Sequence, residues 1–63
     1  MLLEKNEFVR EKKCKTVHWI EKIDTHDKMV EIGTMNYDRE KSTYYKTFEA
    51  MSTKEFYDRY TDL

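Results

Sequence analysis

Glycine and cysteine each occur only once in this 63-residue sequence, and both shortages exclude particular kinds of site. A glycine-rich loop that wraps phosphate groups needs several glycines close together, so a single Gly33 excludes such a loop. Cys14 has no second cysteine with which to form an internal disulfide, and we interpret it as a reduced thiol that is partly buried or lies at a strand edge. Reduced thiols are typical of the cytoplasm, which is the predicted location.

Long apolar segments are also missing. No apolar run approaches the ~20 residues that a membrane-spanning helix needs, which excludes such a helix. The apolar start, from Met1 to Leu3, is too short for the core of a signal peptide and is followed at once by Glu4. We therefore predict no association with a membrane.

The sequence has almost no net charge, although 40% of its residues are charged. Twelve basic residues nearly balance thirteen acidic residues, so the chain as a whole is neither strongly basic nor strongly acidic. Nine aromatic residues favour a folded chain over a disordered one. Because a chain of this size buries only about 60% of its unfolded surface, we predict one small domain over residues 1–63 that gains stability as a homodimer.

Three segments contain the β-branched and aromatic residues typical of strands, and turn-prone residues separate them. The predicted strands are residues 15–23, 29–35 and 42–48. Gly33, inside the second of them, indicates a bulge or a close approach to the backbone. Residues 1–13 have only a weak helical pattern, and we interpret them as a flexible or helical arm.

The C-terminal part of the sequence has clear signals for the start of a helix. Ser52 and Glu55 have the spacing of a capping box, in which hydroxyl and carboxylate each accept a backbone hydrogen bond. Met51 and Phe56 have the spacing of a hydrophobic staple, and Phe56 and Tyr60 lie one helical turn apart. We predict a helix that starts at the box and ends near Tyr60.

These elements predict an α+β fold, in which a small three-stranded antiparallel sheet carries the C-terminal helix on one face. Strand alternation places the following side chains between sheet and helix: Val17, Trp19, Ile23, Val30, Ile32, Tyr44, Phe48, Phe56 and Tyr60. The opposite face retains Ile20, Met29, Met35 and Tyr45, which one helix cannot also cover. We therefore expect two copies to associate through that second face or through an edge strand.

Possible metal ligands and catalytic groups occur, but their spacing does not favour a site. Cys14 and His18 would lie about 13 Å apart on an extended strand, too far to share one zinc ion. His26 and its neighbouring aspartates have no recognised ligand spacing. Carboxylates next to lysines, in segments 11–13 and 38–41, are typical of solvated turns in so charged a chain. We predict no metal, no cofactor and no enzymatic activity.

A local basic stretch favours nucleic-acid binding as an alternative function. It contains Arg10, Lys12, Lys13 and Lys15 with aromatic residues nearby, and single-strand binding needs cations for the phosphates and rings for base stacking. Two glutamates interrupt the stretch, and strand alternation assigns the nearby Trp19 to the core. The alternative is therefore a small nucleic-acid-binding accessory protein.

An aromatic strand leads into the helix with a distinctive spacing of residue types. A pair of tyrosines is followed by a hydrophobic residue, a serine, an acidic residue, a phenylalanine and a tyrosine: Tyr44, Tyr45, Met51, Ser52, Glu55, Phe56 and Tyr60. In this pattern the chain resembles the short phage-encoded inhibitors of uracil-DNA glycosylase. Members of that family are homodimers that mimic DNA at the enzyme's binding face and trap one of its apolar side chains in a hydrophobic pocket.

This resemblance implies a function and a set of site residues. It implies a non-enzymatic inhibitor in which Met51, Phe56 and Tyr60 form the apolar pocket. Nearby carboxylates would take the place of DNA phosphates, namely Glu49, Glu55 and Asp58. A phage-type regulator that binds another host protein through the same helix is a further alternative, since exposed aromatic residues beside carboxylates are typical of protein-binding hot spots.

Overall fold

The computed structural model describes residues 3–63, which form a mostly β fold. In chain order its elements are β1 (Phe8–Glu11), β2 (Val17–Asp24), β3 (Met29–Asp38), β4 (Thr43–Ser52), α1 (Thr53–Arg59) and β5 (Tyr60–Asp62). The strands make one five-stranded sheet in the order β4-β3-β2-β1-β5, and every neighbouring pair is antiparallel. Strands β1 to β4 therefore form a meander, and α1 returns the chain to the far edge of the sheet.

The predicted three-stranded sheet with a packed helix is wrong, because two short strands give no periodic signal. Strand β1 lies in the segment predicted as a flexible or helical arm, and it buries Val9. The first part of that arm, residues 1–2, lies outside the described residues. Strand β5 has three residues and follows the helix directly. The two strands pair with each other, at Val9 with Asp62 and at Glu11 with Tyr60, so each depends on a distant part of the chain.

The hydrophobic core combines residues from all five strands and the helix. Its buried apolar side chains are Val9, Ile20, Val30, Ile32, Met51, Phe56 and Tyr60. Leu3 and Ile23 pack against this core and are partly buried. The predicted burial of Val30, Ile32, Phe56 and Tyr60 is confirmed, and Ile23 packs against the core as predicted. The other four predicted core residues lie on the opposite face, namely Val17, Trp19, Tyr44 and Phe48.

The prediction for β2 placed the wrong face of this strand in the core. Ile20 is completely buried, whereas Val17 is 48% exposed. A β-bulge between Ile20 and Lys22 shifts the register, so Ile20 and Ile23 both pack on the core although they are three positions apart. Regular alternation cannot place residues three apart on one face, and for this reason the pattern inverted the strand.

Trp19, Tyr44 and Phe48, also predicted as core residues, lie on the opposite face of the sheet. Cross-strand pairing and alternation assign the members of this second face. We call it the open face, and it consists of Phe8, Arg10, Val17, Trp19, Glu21, Lys22, Asp24, Met29, Glu31, Gly33, Met35, Tyr37, Tyr44, Lys46, Phe48, Ala50 and Thr61. The predicted second apolar face is therefore present, but with largely different residues.

Helix α1 begins where the sequence predicts. The side chain of Ser52 accepts a hydrogen bond from the backbone N–H of Glu55 at 3.1 Å. The Glu55 carboxylate accepts a hydrogen bond from Arg59, also at 3.1 Å, one helical turn further on. The helix ends because Tyr60 adopts an extended conformation, with φ −123° and ψ 156°, and begins β5.

Candidate functional site

The three side chains expected to form an apolar pocket are core residues. Met51, Phe56 and Tyr60 are each at most 3% exposed. The Phe56 and Tyr60 rings stack with their centroids 5.3 Å apart, and the His18 ring meets Tyr60 edge-on at 5.5 Å. Burial also raises the pKa of the Tyr60 hydroxyl. The structure thus brings these residues together inside the fold, where a side chain of another protein does not reach them.

The expected carboxylates lie at the surface, and two of them surround one arginine. Arg59 donates hydrogen bonds at 3.1 Å to Glu49 on β4 and to Glu55 on α1. Its second terminal nitrogen donates to Glu11 on β1, also at 3.1 Å. We call these four residues the arginine cluster, which joins two strands to the helix. Asp58 is exposed next to the cluster on α1.

Sequence reasoning missed two members of the arginine cluster. The spacing of Glu55 and Arg59 is that of a helical ion pair, a signal that was available in the sequence. Glu11 has no such signal, because it approaches Arg59 only through the pairing of β1 with β5.

Hydrogen bonds in and beside the arginine cluster shift the pKa values of its members. Hydrogen bonds from the Cys14 thiol and from Arg59 lower the pKa of Glu11 below its ordinary value of 4.5. Hydrogen bonds to Glu49 and Glu11 raise the pKa of Arg59. The bond to Glu11 and its negative charge raise the pKa of the Cys14 thiol. Glu11 and Arg59 are therefore both charged at neutral pH, and Cys14 is a protonated thiol of low reactivity.

Glu11 is expected to make the fold sensitive to acid. Because folding lowers its pKa, the stabilisation is complete above the ordinary value of 4.5 and is lost as the pH falls through the lower pKa of the folded state. We expect Glu11→Gln to remove up to about 1 kcal/mol at neutral pH and to flatten the acid side of the stability curve. Urea unfolding between pH 3 and 7 measures both effects.

Glu40→Gln is the matched control for that measurement, since Glu40 lies in the exposed turn between β3 and β4. We expect it to leave the curve unchanged. If the free energy of unfolding of the Glu11→Gln variant fell with decreasing pH as steeply as that of the parent chain, other carboxylates would be the cause of the acid sensitivity.

The basic stretch is divided between different parts of the surface. Arg10 lies on the open face, whereas the Lys12 side chain donates a hydrogen bond to the Tyr57 carbonyl oxygen at 3.1 Å. Lys13 and Lys15 lie in the exposed turn between β1 and β2. The four cations therefore do not form one continuous surface.

The potential metal ligands are separated in the fold. Within residues 3–63, no three histidine, cysteine, aspartate or glutamate side chains are close enough to hold a metal ion. Both ring nitrogens of His18 are hydrogen-bonded to hydroxyls, of Thr16 at 2.6 Å and of Thr34 at 2.9 Å. Cys14 is exposed, and the carboxylate of Glu11 raises the pKa of its thiol.

A row of residues crosses the open face from β1 to β4. Phe8 pairs with Trp19, Trp19 pairs with Gly33, and Gly33 pairs with Phe48, so these four positions lie side by side. We call them the aromatic row. Phe8 is 56% exposed and Phe48 is 50% exposed. The row therefore presents aromatic rings to the solvent along the width of four strands.

Gly33 allows the Trp19 indole to lie against the sheet. A Cβ atom at position 33 would overlap three atoms of the indole ring system. The Phe48 ring meets the indole edge-on at 6.4 Å, and the indole N–H donates a hydrogen bond to Glu21 at 2.9 Å. The close approach predicted at Gly33 is confirmed, and these contacts hold the indole in one orientation.

A cationic and apolar area adjoins the aromatic row on the side of the β3–β4 turn. Lys46 places its Nζ atom 5.8 Å from the centre of the Trp19 ring. Further along the β3–β4 hairpin, the Tyr37 and Tyr44 rings pack with their centroids 4.9 Å apart. Between the row and this area lies a hollow of about 400 Å³, which is lined by Asn6, Phe8, Trp19, Met35 and Lys46.

Comparisons with known proteins find no relative of this chain. No protein-family model, no curated protein and no solved structure matches it. Among the described residues, no helix is long and apolar enough to cross a membrane. Function is therefore inferred from the surfaces of the chain itself.

Proposed function

We propose that the chain is a non-enzymatic protein that inhibits uracil-DNA glycosylase by occupying the DNA-binding face of that enzyme. One observation supports the proposal most directly. The segment with the resemblance, residues 44–60, forms one strand–helix unit with carboxylates at its surface, in which β4 continues into α1 through the Ser52 cap. DNA mimicry needs negative groups on a rigid support, in the positions where phosphates would bind.

Arg59 prepares two of these carboxylates for binding. It holds Glu49 and Glu55 in place, which reduces the side-chain entropy that they lose when a partner binds. Their side chains remain 57% and 51% exposed, so their oxygen atoms can still accept hydrogen bonds from cations of the enzyme. Asp58 and the 41% exposed ring of Tyr57 extend the surface along the helix. An aromatic ring beside carboxylates is typical of a binding hot spot.

Met51, Phe56 and Tyr60 have a supporting role in this proposal. Because they are buried, they hold β4 and α1 together beneath the exposed carboxylates. A cytoplasmic location belongs to the proposal and agrees with a thiol at Cys14. The homodimer stays a prediction, which sedimentation of the purified chain tests.

Uracil excision from double-stranded DNA tests the proposal, with the chain titrated into purified bacterial uracil-DNA glycosylase. We expect inhibition that saturates near an equimolar ratio. The double variant Glu55→Gln, Asp58→Asn removes two charges with little change in shape. We expect at least a ~10-fold loss of inhibitory affinity, because a hydrogen bond to a charged group contributes about 1.5–3 kcal/mol.

Phe48→Ser, on the open face, is the matched control and is expected to inhibit as the parent chain does. No inhibition at a large excess of the chain would contradict the proposed function. Full inhibition by the double variant would exclude these two carboxylates from the interface.

A further inference from the structure

The open face lies on the other side of the sheet from the core and the arginine cluster, and both ends of its aromatic row, Phe8 and Phe48, are at least half exposed. We propose that the open face binds single-stranded nucleic acid, with bases stacked on the aromatic row and phosphates held by Arg10 and Lys46. This activity does not rest on inhibition of a glycosylase, because the two surfaces lie on opposite faces of the sheet.

The aromatic row has the chemistry and the size for stacking bases. Phe8, Trp19 and Phe48 lie on β1, β2 and β4, so the row spans three strand spacings, or roughly 14 Å. Sheets that bind single-stranded RNA stack two or three bases on aromatic side chains in this manner. Stacking requires accessible ring faces, and Phe8 and Phe48 are 56% and 50% exposed. The half-buried Trp19 indole between them lies against Gly33, with the Lys46 Nζ atom 5.8 Å from the centre of its ring.

Charge on the open face is distributed unevenly around the aromatic row. In the next row towards the β3–β4 turn, Arg10 pairs with Val17 and Lys46 pairs with Met35. We call this the cationic row. Among the described residues, the part of the open face that extends from the cationic row to the β3–β4 turn contains two cations and no carboxylate. A nucleic-acid backbone that follows the cationic row would therefore meet a cation at each end of the row and apolar side chains between them.

The carboxylates of the open face lie on the other side of the aromatic row. Glu21 and Glu31 occupy this side together with Lys22, and Glu21 accepts the hydrogen bond of the Trp19 indole. A single-stranded nucleic acid whose phosphates lie over the cationic row avoids these carboxylates. The arrangement of charges thus favours one path for the nucleic-acid backbone across the open face. It also explains how a chain with a net charge of −1 can present a cationic area.

Fluorescence of Trp19 provides a direct assay, because it is the only tryptophan in the chain. We expect quenching by short oligothymidylate and by oligouridylate, and none by a duplex of the same length, whose bases are already stacked and paired. Each phosphate contact of a single strand contributes about 0.7 to the slope of log affinity against log salt concentration. Two contacts predict a slope of about −1.4, which Lys46→Gln should reduce to about −0.7.

Phe48→Ser removes one stacking ring at a half-exposed position, and circular dichroism checks that the variant is folded. We expect an affinity about 5- to 150-fold lower, as for loss of one base–aromatic stack. The double variant Glu55→Gln, Asp58→Asn, on the helix, is the matched control and should bind oligonucleotides as the parent does. Paired with the excision assay, these variants separate failure of this proposal from failure of the proposed inhibition.

Three outcomes would overturn the proposal. The first is absence of quenching by every single strand, and the second is equal affinity for the duplex. The third is that the parent chain sediments as a dimer, that Phe48→Ser sediments as a monomer, and that neither binds an oligonucleotide. That result would assign the open face to contact with a second copy of the chain.

Discussion

Phe56→Ala is expected to unfold much of the protein at room temperature. Phe56 has no exposed surface and packs against Tyr60 at the centre of the core. Truncation of a buried phenylalanine lowers the free energy of unfolding by about 3–5 kcal/mol. A chain of this length has roughly 3–9 kcal/mol in total, so the variant is left with little stability. Urea unfolding followed by far-ultraviolet circular dichroism measures the loss.

Tyr57→Ala is the control for this experiment, since Tyr57 neighbours Phe56 but is 41% exposed. We expect it to change the free energy of unfolding by less than about 1 kcal/mol. A similar small change for Phe56→Ala would contradict the placement of Phe56 in the core. Because unfolding alone would abolish inhibition, Phe56→Ala says nothing about contact with a glycosylase. Phe56→Leu keeps most of the side-chain volume in the core, so it is the informative variant for the inhibition assay.

Gly33→Ala is expected to displace the Trp19 indole and to destabilise the fold by about 1–3 kcal/mol, as overpacked positions do. The sign of this effect is diagnostic. At an unobstructed strand position, replacing glycine by alanine stabilises by roughly 0.5–1 kcal/mol, because glycine loses more backbone entropy on folding. Urea unfolding gives the stability, and the emission maximum of Trp19 reports the movement of the indole towards water.

A double-mutant cycle with Trp19→Ala isolates the cause of this effect. Without the indole, the new methyl group at position 33 has space, and the penalty of Gly33→Ala is expected to disappear. Circular dichroism replaces fluorescence in this background, which lacks tryptophan. An equal penalty with and without the indole would mean that the methyl group meets some other part of the sheet.

The parts of the fold that depend on nearby residues could be predicted from the sequence. The Ser52 cap, the start of α1 and the strands β2, β3 and β4 follow from side chains within a few positions of one another. Strands β1 and β5 could not be predicted, since each is stabilised by the other across the length of the chain. The faces of β2 were inverted because the bulge after Ile20 interrupts the alternation on which the prediction relied.

The candidate surfaces were predictable to a similar extent. The exposed carboxylates Glu55 and Asp58 follow from the helical pattern. Gly33 indicated a bulge or a close approach to the backbone, and the structure shows the close approach, although the sequence did not identify the indole as the group that makes it. The aromatic row could not be predicted, because aromatic residues on a strand are ordinarily assigned to the core. Only the burial of Ile20 and Val9 on the other face leaves Trp19 and its neighbours on the open face.

The pairing of β1 with β5 has a consequence for the order of folding. The β2–β3 and β3–β4 hairpins join neighbouring segments and can form early, whereas β5 reaches β1 only after α1 has turned the chain back. Closing that long loop carries the larger entropy cost, so Val9 and Tyr60 are buried last. Until then the unpaired edge of β1 and the incomplete core are accessible to other chains, and the rate of this closure determines the exposure to aggregation.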